Sequence, residues 1–177
     1  MSERTLVLGG IRSGKSGWAE TAIATAAGSA PVRYLATGAP ADQDAEWSTR
    51  VDAHRRRRPA HWTTEETTDV AGRLRAAPTA TLVDDIGGWL TAEMDRCGAW
   101  TGAPMSTSTD DLVDAVRGFP APLALVSPEV GLTVVPATAA GRRFADELGL
   151  LNQRLAACCD RVVLVVAGLP ITVKEPA

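Results

Sequence analysis

Residues 5–16 read Thr-Leu-Val-Leu-Gly-Gly-Ile-Arg-Ser-Gly-Lys-Ser, an apolar strand-like run followed by a glycine-rich turn and a helix-like segment. The turn has every fixed position of the phosphate-binding loop GxxxxGK[ST], or P-loop, in the strand–loop–helix context that this loop requires. In a P-loop, backbone N–H groups surround a phosphate, the lysine reaches the outer phosphates and the final hydroxyl ligates Mg²⁺. A glycine-rich turn without a ligand is the alternative. The predicted nucleotide-binding residues are Gly9, Gly10, Ile11, Arg12, Ser13, Gly14, Lys15 and Ser16.

Strand-like segments recur along the chain and alternate with segments of helical spacing, which is the pattern of βαβ units. Each strand-like run is apolar on both faces, so we expect buried, parallel strands covered by helices. The sequence therefore predicts an α/β, doubly wound fold with a mostly parallel central sheet and helices on both faces, in a single domain over residues 1–177. The predicted strands are Thr5–Leu8, Val32–Ala36, Ala80–Val83, Pro122–Val126 and Arg161–Val166.

The helix-like segments are delimited by glycine, proline and polar capping residues. Between two of them, residues 98–109 are rich in Gly, Ser, Thr and Pro, which predicts a mobile loop rather than a domain linker. The predicted helices are Ser13–Ala27, Asp42–Arg58, Thr67–Ala77, Gly88–Arg96, Asp110–Arg117 and Thr138–Cys159.

The composition limits the possible partners and locations. The chain has 18 basic and 21 acidic residues and a net charge of −3, which gives no overall attraction to nucleic acid or anionic membranes. Its three cysteines lack metal-binding spacing and indicate a reducing compartment. The apolar run Val162–Leu169 is far shorter than the roughly 20 residues that span a bilayer, and no signal-peptide pattern is present. We therefore expect a cytoplasmic protein with no nucleic-acid partner and no membrane insertion.

A P-loop site usually has an acidic residue at the end of a neighbouring strand, where it supports the magnesium shell. Asp84 follows the run 80–83 and would emerge at the carboxyl end of a central strand, where open α/β sheets bind ligands. Asp85 would point the other way if the strand continued, which makes it the weaker candidate. We therefore predict Ser16 and Asp84 as metal-binding residues. The alternative for Asp84 is a cap for the following helix.

A second informative stretch, residues 50–62, contains five arginines and both histidines of the chain. If residues 42–58 are helical, Arg50, His54 and Arg58 share one face. Neighbouring cations favour the neutral imidazole, whose lone pair can attack phosphorus, and arginines hold phosphates by paired hydrogen bonds. His54 is therefore a candidate nucleophile, whereas His61 is expected to be structural. The alternatives for the stretch are a solvated basic helix end and, less favoured by the net charge, a nucleic-acid patch.

Blocks of sequence along nearly the whole chain match the pattern of one known family. They are residues 6–16, Tyr34-Leu-Ala-Thr-Gly38, Glu46-x-x-x-Arg50-Val-x-x-His54-Arg55, Trp62-Thr-Thr-x-Glu66, Leu82-Val-Asp-x-Ile86, Val126-Ser-x-Glu-Val-Gly131 and Leu151-Asn-Gln-Arg-Leu155. In this order they resemble the bifunctional adenosylcobinamide kinase and adenosylcobinamide-phosphate guanylyltransferase family of cobalamin biosynthesis.

The resemblance implies a RecA-like P-loop fold, commonly a homotrimer, with two activities on one chain. The kinase activity phosphorylates the aminopropanol hydroxyl of adenosylcobinamide with ATP or GTP. The guanylyltransferase activity takes GTP, forms a covalent GMP-histidine and passes GMP to adenosylcobinamide phosphate, which gives adenosylcobinamide-GDP and pyrophosphate. The implied ligands are therefore GTP, ATP, Mg²⁺ and the two cobinamides.

The resemblance also assigns roles to single residues. His54 occupies the position of the guanylylated histidine. Departures from the family pattern are Asp85 in place of a usual Cys, Gly87-Gly88 in place of a Thr-Leu-like pair, and Pro128 in place of Asn. The rival hypotheses are a P-loop small-molecule kinase without guanylyl transfer and a non-catalytic nucleotide-binding module. Beyond the P-loop, the positions that match the family's guanine-nucleotide site are Thr37, Gly38, Ala39, Arg55, Arg56, Arg57, Arg58, Glu66 and Asp84.

Overall fold

In the computed structural model, which describes residues 3–38 and 59–176, seven strands form one sheet. All neighbouring strands are parallel except the last two in the chain, which form an antiparallel hairpin. The strands are β1 (Arg4–Gly9), β2 (Val32–Ala36), β3 (Thr63–Glu66), β4 (Ala80–Asp84), β5 (Leu123–Pro128), β6 (Arg161–Val166) and β7 (Leu169–Lys174).

The order of the strands across the sheet is β3-β2-β4-β5-β1-β6-β7. The first strand therefore lies inside the sheet, between β5 and β6, and both of its neighbours are parallel to it. β4 lies one strand further away, on the other side of β5. In such a sheet the carboxyl ends of the parallel strands meet at one edge, where ligands bind.

The helices lie between the strands along the chain, as βαβ units require. A short 3₁₀ helix covers residues 99–101. The α-helices are α1 (Lys15–Ala27), α2 (Val70–Ala76), α3 (Ile86–Cys97), α4 (Ser106–Arg117) and α5 (Ala139–Cys158).

Two apolar clusters, one on each face of the sheet, form the core. α1 packs on one face, where Ala19 and Ile23 meet strand residues such as Val7 and Leu82. The other four α-helices of the described ranges pack on the opposite face, against a second set of strand side chains that includes Leu6 and Val83. Because alternate residues of a strand point to opposite faces, a strand buried on both faces must be apolar throughout.

The structure confirms the predicted fold class and, to within two residues at each end, all five predicted strands. The predicted helix 138–159 is also confirmed, since Thr138 caps α5 by accepting a hydrogen bond from the N–H of Gly141 at 3.0 Å. The predicted helix 42–58 lies outside the described residues. No helix in the described ranges combines the length and apolar character needed to cross a membrane.

Four predicted helix starts were wrong, including that of α3, which begins at Ile86 rather than at residue 88. α1 begins at Lys15 rather than at residue 13, and α2 begins at Val70 rather than at residue 67, because Asp69 caps it through the N–H of Gly72. α4 begins at Ser106, so the predicted loop 98–109 contains the 3₁₀ helix and a helical turn. The run is polar, yet Thr109 within it is buried and its hydroxyl donates to the carbonyl of Met105, so the polar composition did not indicate a helix there.

Two strands were not predicted. β3 reads Thr-Thr-Glu-Glu and is mostly exposed at the sheet edge, so it lacks the apolar signal of a buried strand. β7 is exposed along its whole length and follows β6 after a turn of two residues, so its first apolar residue read as part of the β6 run in the sequence. Edge strands have weak sequence signals because only one of their sides is paired.

Candidate nucleotide-binding site

The predicted P-loop connects the end of β1 to the first turn of α1. Gly14 has a φ of 92° and no side chain caps the helix, so the first N–H groups of α1 face the loop. The Lys15 side chain folds over the loop and its Nζ donates to the carbonyl of Gly10 at 3.2 Å. The loop thus presents backbone donors and an ammonium group on one side, as binding of a phosphate chain requires.

Gly9 is required by the close approach of the β6 backbone and of the Ser13 side chain. A Cβ on Gly9 would lie 2.8 Å from the carbonyl oxygen of Val165, in β6, and closer still to the hydroxyl of Ser13. Real Cβ atoms do not approach backbone oxygens so closely. The glycine therefore allows the loop to fold back against β6 rather than only to turn.

The turn between β6 and β7 forms a backbone hydrogen bond to the P-loop. This turn was not predicted from the sequence. Ala167 and Gly168 both have positive φ values, 51° and 81°, as a tight two-residue hairpin turn requires. The N–H of Gly168 donates to the carbonyl of Ser13 at 2.8 Å. The Ala-Gly pair between two apolar runs was the available signal for this hairpin.

Asp84 lies at the carboxyl end of β4, as predicted. Its Oδ2 accepts a hydrogen bond from the hydroxyl of Tyr34, in β2, at 2.6 Å. Asp84 is two residues after Leu82, which packs on the face covered by α1, and therefore points to that same face. The carboxylate is thus at the same edge and on the same face of the sheet as Ser16, in the first turn of α1.

The helix cap is Asp85, not Asp84, which corrects the alternative considered for Asp84. Asp85 accepts a hydrogen bond from the N–H of Gly88 at 2.7 Å, and α3 begins at Ile86 instead of residue 88. Thr37, which is buried, donates its hydroxyl to the carbonyl of Asp85 and its N–H to the carbonyl of Asp84 at 3.2 Å. The two strand ends are therefore joined at the site.

Burial raises the pKa of Asp85 above its ordinary range, and the negative charge of Asp84 adds to the increase. The hydrogen bond from Gly88 and the positive charge of Lys15 lower the pKa but do not cancel the effect of burial. Asp85 is thus close enough to Lys15 to interact with its charge. Burial therefore makes the Asp85 carboxyl resist ionisation.

This raised pKa predicts a pH-dependent stability difference between the native chain and an Asp85→Asn variant. The folded state keeps the Asp85 proton to higher pH than the unfolded state, so its contribution to the free energy of unfolding falls as pH rises above about 4. Asn caps helices as well as Asp does but cannot ionise. We expect the stability of the variant relative to that of the native chain, measured by urea unfolding, to increase as pH rises above about 4. A pH-independent difference would contradict the prediction.

Two of the departures from the family pattern contact each other. A Cβ on Gly87 would lie 2.9 Å from Cγ of Pro128, at the end of β5. A Cβ on Gly88 would lie 3.3 Å from both the Thr37 hydroxyl and the Cα of Gly38. The small residues at the start of α3 thus leave room for a proline on one side and for the end of β2 on the other.

This contact predicts a coupling between Gly87 and Pro128. Gly87→Ala alone places a methyl against the proline ring and is expected to cost about 1–3 kcal/mol of stability, as overpacking does. In Gly87→Ala/Pro128→Ala the ring is absent, so the double variant is expected to lose less than the sum of the two single variants. Denaturant unfolding of all four proteins measures this difference. Simple additivity would show that the ring is not what excludes a side chain at residue 87.

The remaining predicted nucleotide residues divide into two groups. Thr37 and Gly38 follow β2, and Glu66 ends β3 opposite Ala36 of β2. The structure therefore brings these residues, the P-loop and Asp84 to one edge of the sheet. The other predicted residues lie outside the described ranges; they are Ala39, His54, Arg55, Arg56, Arg57 and Arg58.

Comparison with known proteins agrees with this geometry. Residues 5–173 match the family described as cobinamide kinase / cobinamide phosphate guanyltransferase. The bifunctional adenosylcobalamin biosynthesis protein CobP of Pseudomonas aeruginosa is 42% identical over 178 residues, which cover 98% of this chain and 99% of that protein. The corresponding protein CobU of Salmonella typhimurium is 38% identical over 185 residues, which cover 96% of this chain and 98% of that protein.

A solved structure shares the fold at low sequence identity. It is a prototypical ATPase from the type III secretion system of pathogenic bacteria, with a TM-score of 0.57 and 13% identity. The alignment covers 96% of this chain, which spans only 56% of that ATPase chain. This similarity supports the P-loop fold and carries no information about the substrate.

Proposed function

The chain belongs to the cobinamide kinase / cobinamide phosphate guanyltransferase family, and from this membership we propose how its own residues perform the two reactions of that family in cobalamin biosynthesis. Both reactions begin with a nucleoside triphosphate. We propose that the P-loop and Lys15 bind the phosphates of ATP or GTP, and that Thr37, Gly38, Ala39, Glu66 and Arg55 to Arg58 complete the guanine-nucleotide site.

Ser16 and Asp84 are the proposed magnesium-binding residues. Mg²⁺ usually binds through one hydroxyl or one or two carboxylates together with phosphate oxygens and water. A hydroxyl in the first turn of α1 and a carboxylate at the end of β4 fit that pattern, because both face the P-loop edge. Magnesium bound there would neutralise charge on the phosphates.

In the kinase reaction the chain positions the γ-phosphate and neutralises its charge. The N–H groups at the start of α1 and the ammonium of Lys15 surround the transferred group. The hydroxyl of adenosylcobinamide attacks phosphorus, and the bond to the β-phosphate breaks. The residues of the P-loop thus act by orientation and electrostatics rather than by covalent chemistry.

In the guanylyltransferase reaction His54 is the proposed nucleophile. A neutral imidazole nitrogen attacks the α-phosphorus of GTP, the new N–P bond replaces the bond to the β-phosphate, and pyrophosphate leaves. A phosphate oxygen of adenosylcobinamide phosphate then attacks the same phosphorus and releases His54. Arg55 to Arg58, which follow His54 directly, would stabilise the charge on the phosphates.

The observation that carries the proposal is the convergence of the P-loop lysine, Asp84, Thr37 and Glu66 at one sheet edge. The test is incubation of the purified protein with GTP, Mg²⁺ and adenosylcobinamide, followed by chromatography with mass detection. We expect adenosylcobinamide phosphate to appear first and adenosylcobinamide-GDP to follow. If only adenosylcobinamide phosphate appears, the protein is a kinase without guanylyl transfer. If nucleotide binds and neither product appears, the protein is a non-catalytic nucleotide-binding module.

We also propose that the protein is a homotrimer, that it acts in the cytoplasm and that it has no nucleic-acid partner. Exposed apolar side chains on the edge strand β7, including Leu169 at 69% and Ile171 at 52% exposure, support an interface with another copy. Sedimentation equilibrium measures the oligomeric state directly. A monomer at all concentrations would contradict the trimer but leave the two activities unaffected.

A further inference from the structure

A cavity of about 580 Å³ lies beside the P-loop, on the face of the sheet opposite α1. One wall is the connection between β5 and α5, and the other walls are one side of α5 and the β6–β7 hairpin. Leu8, the residue before the P-loop, forms part of its floor, and Val134, which is 91% exposed, lies at its opening. The cavity therefore connects solvent with the end of β1.

Glu129 lines this cavity at the end nearest the P-loop. Its N–H donates to the carbonyl of Gly9 at 3.1 Å, so its backbone is fixed directly beside the first P-loop residue. The side chain is half-buried, and its carboxylate accepts a hydrogen bond from the N–H of Gly131. The cavity is thus lined by the carboxylate of a residue whose backbone is bonded to the phosphate-binding loop.

A buried polar network fixes the end of β5 from which Glu129 extends. The hydroxyl of Ser127 donates to Oδ1 of Asn152, in α5, at 2.6 Å. The Nδ2 of Asn152 donates to the carbonyl of Pro128 at 3.0 Å. Both Ser127 and Asn152 are buried, so these bonds are protected from water and hold the strand end firmly. The position of Glu129 relative to the P-loop is therefore determined on both sides.

We propose that this cavity binds the hydroxyl-bearing side chain of the corrinoid acceptor, and that Glu129 is the base that takes the hydroxyl proton in the kinase step. The inference rests on the proposed function, which requires an alcohol beside the γ-phosphate. The hydroxyl oxygen forms a bond to the γ-phosphorus, and the bond from that phosphorus to the bridging oxygen breaks. The bridging oxygen keeps the electron pair in the released nucleoside diphosphate, and the hydroxyl proton passes to the Glu129 carboxylate.

A comparison of the two reactions distinguishes a catalytic base at residue 129 from a residue that has only a structural role. An alcohol must lose a proton when it is phosphorylated, and a positioned base contributes about 10²–10⁴-fold to such a step. The acceptor of GMP is already a phosphate oxyanion, which has no such proton to lose. Loss of the base at residue 129 should therefore slow phosphorylation and spare guanylyl transfer.

The first test uses Glu129→Gln, which keeps the side-chain size and an oxygen that can accept the hydrogen bond from Gly131. We expect the rate of adenosylcobinamide phosphorylation to fall by about 10²-fold or more. Formation of the GMP adduct and its transfer to supplied adenosylcobinamide phosphate should remain at the native rate. The matched control is Asp114→Asn, which removes an exposed acidic group that pairs with Arg117 on the surface of α4.

The second test fills the cavity. Gly149 lies on the side of α5 that lines it, and Leu is a better helix former than Gly. Gly149→Leu should raise the KM for adenosylcobinamide in the kinase assay and leave adduct formation from GTP unchanged.

Three results would overturn the inference. They are a native phosphorylation rate in Glu129→Gln, an equal loss of both activities in that variant, and an unchanged KM in Gly149→Leu. If the native chain itself fails to phosphorylate adenosylcobinamide, the proposed function is wrong instead, so the two failures are distinguishable.

Discussion

After incubation with GTP and Mg²⁺, the mass of a His54→Ala variant is expected to stay unchanged, whereas the native chain gains one GMP. Alanine has no lone pair to attack phosphorus, so the covalent intermediate cannot form. Guanylyl transfer to adenosylcobinamide phosphate should fall by at least about 10³-fold, since loss of a nucleophile removes the path of the reaction rather than slowing one step. Intact-mass spectrometry measures the adduct, and a coupled pyrophosphate assay measures the transfer.

The chain offers a matched control for this experiment. It has only two histidines, and the other, His61, is exposed next to the start of β3. His61→Ala should acquire GMP as the native chain does. Phosphorylation of adenosylcobinamide by His54→Ala should also continue, because that step does not pass through the imidazole. An adduct on His54→Ala would place the nucleophile elsewhere and refute the assignment.

Replacing Lys15 by methionine is expected to lower both activities together, each by about 10²–10³-fold. The ammonium of Lys15 folds over the P-loop, where it would meet the outer phosphates of either nucleotide. Methionine has a similar length and no charge, so the charge that develops on the phosphates is no longer neutralised. Initial rates of phosphorylation and of adduct formation, each measured over a range of nucleotide concentrations, test this expectation.

The control for Lys15→Met removes a positive charge elsewhere. Arg75 pairs with Asp111 on the surface, where both side chains are about half exposed, and such pairs contribute little to stability. Arg75→Met should keep both activities. Together the variants predict a pattern: Lys15→Met affects both reactions, His54→Ala only guanylyl transfer, and Glu129→Gln only phosphorylation. A native rate in Lys15→Met would show that the P-loop does not bind the reacting nucleotide.

The fold could be predicted from sequence because its buried strands are apolar on both faces. Runs such as Val32–Ala36 and Arg161–Val166 have the same bounds in the structure as in the prediction. The P-loop could also be predicted from the sequence, because its glycines and lysine have a fixed spacing that depends only on local geometry. Features that depend on neighbouring residues in one short segment were therefore predictable.

Features that depend on contacts between distant segments could not be predicted. The position of Asp85 as the cap of α3 depends on where β4 ends, and two adjacent aspartates give no sign of which one does this. The contact of Gly87 with Pro128 joins the ends of two different strand–helix connections. Likewise, nothing local to Glu129 indicates that its N–H bonds to the P-loop. Such contacts follow from the strand order, which the sequence pattern does not specify.

The support of the P-loop by the β6–β7 turn has a consequence for synthesis of the chain. The loop covers residues 9–16, yet the carbonyl of Ser13 is bonded by the N–H of Gly168, which is translated 155 residues later. On the ribosome, the phosphate-binding loop therefore emerges well before the hairpin that supports it. A nascent chain arrested before that hairpin leaves the exit tunnel should bind nucleotide more weakly than one in which the hairpin has emerged.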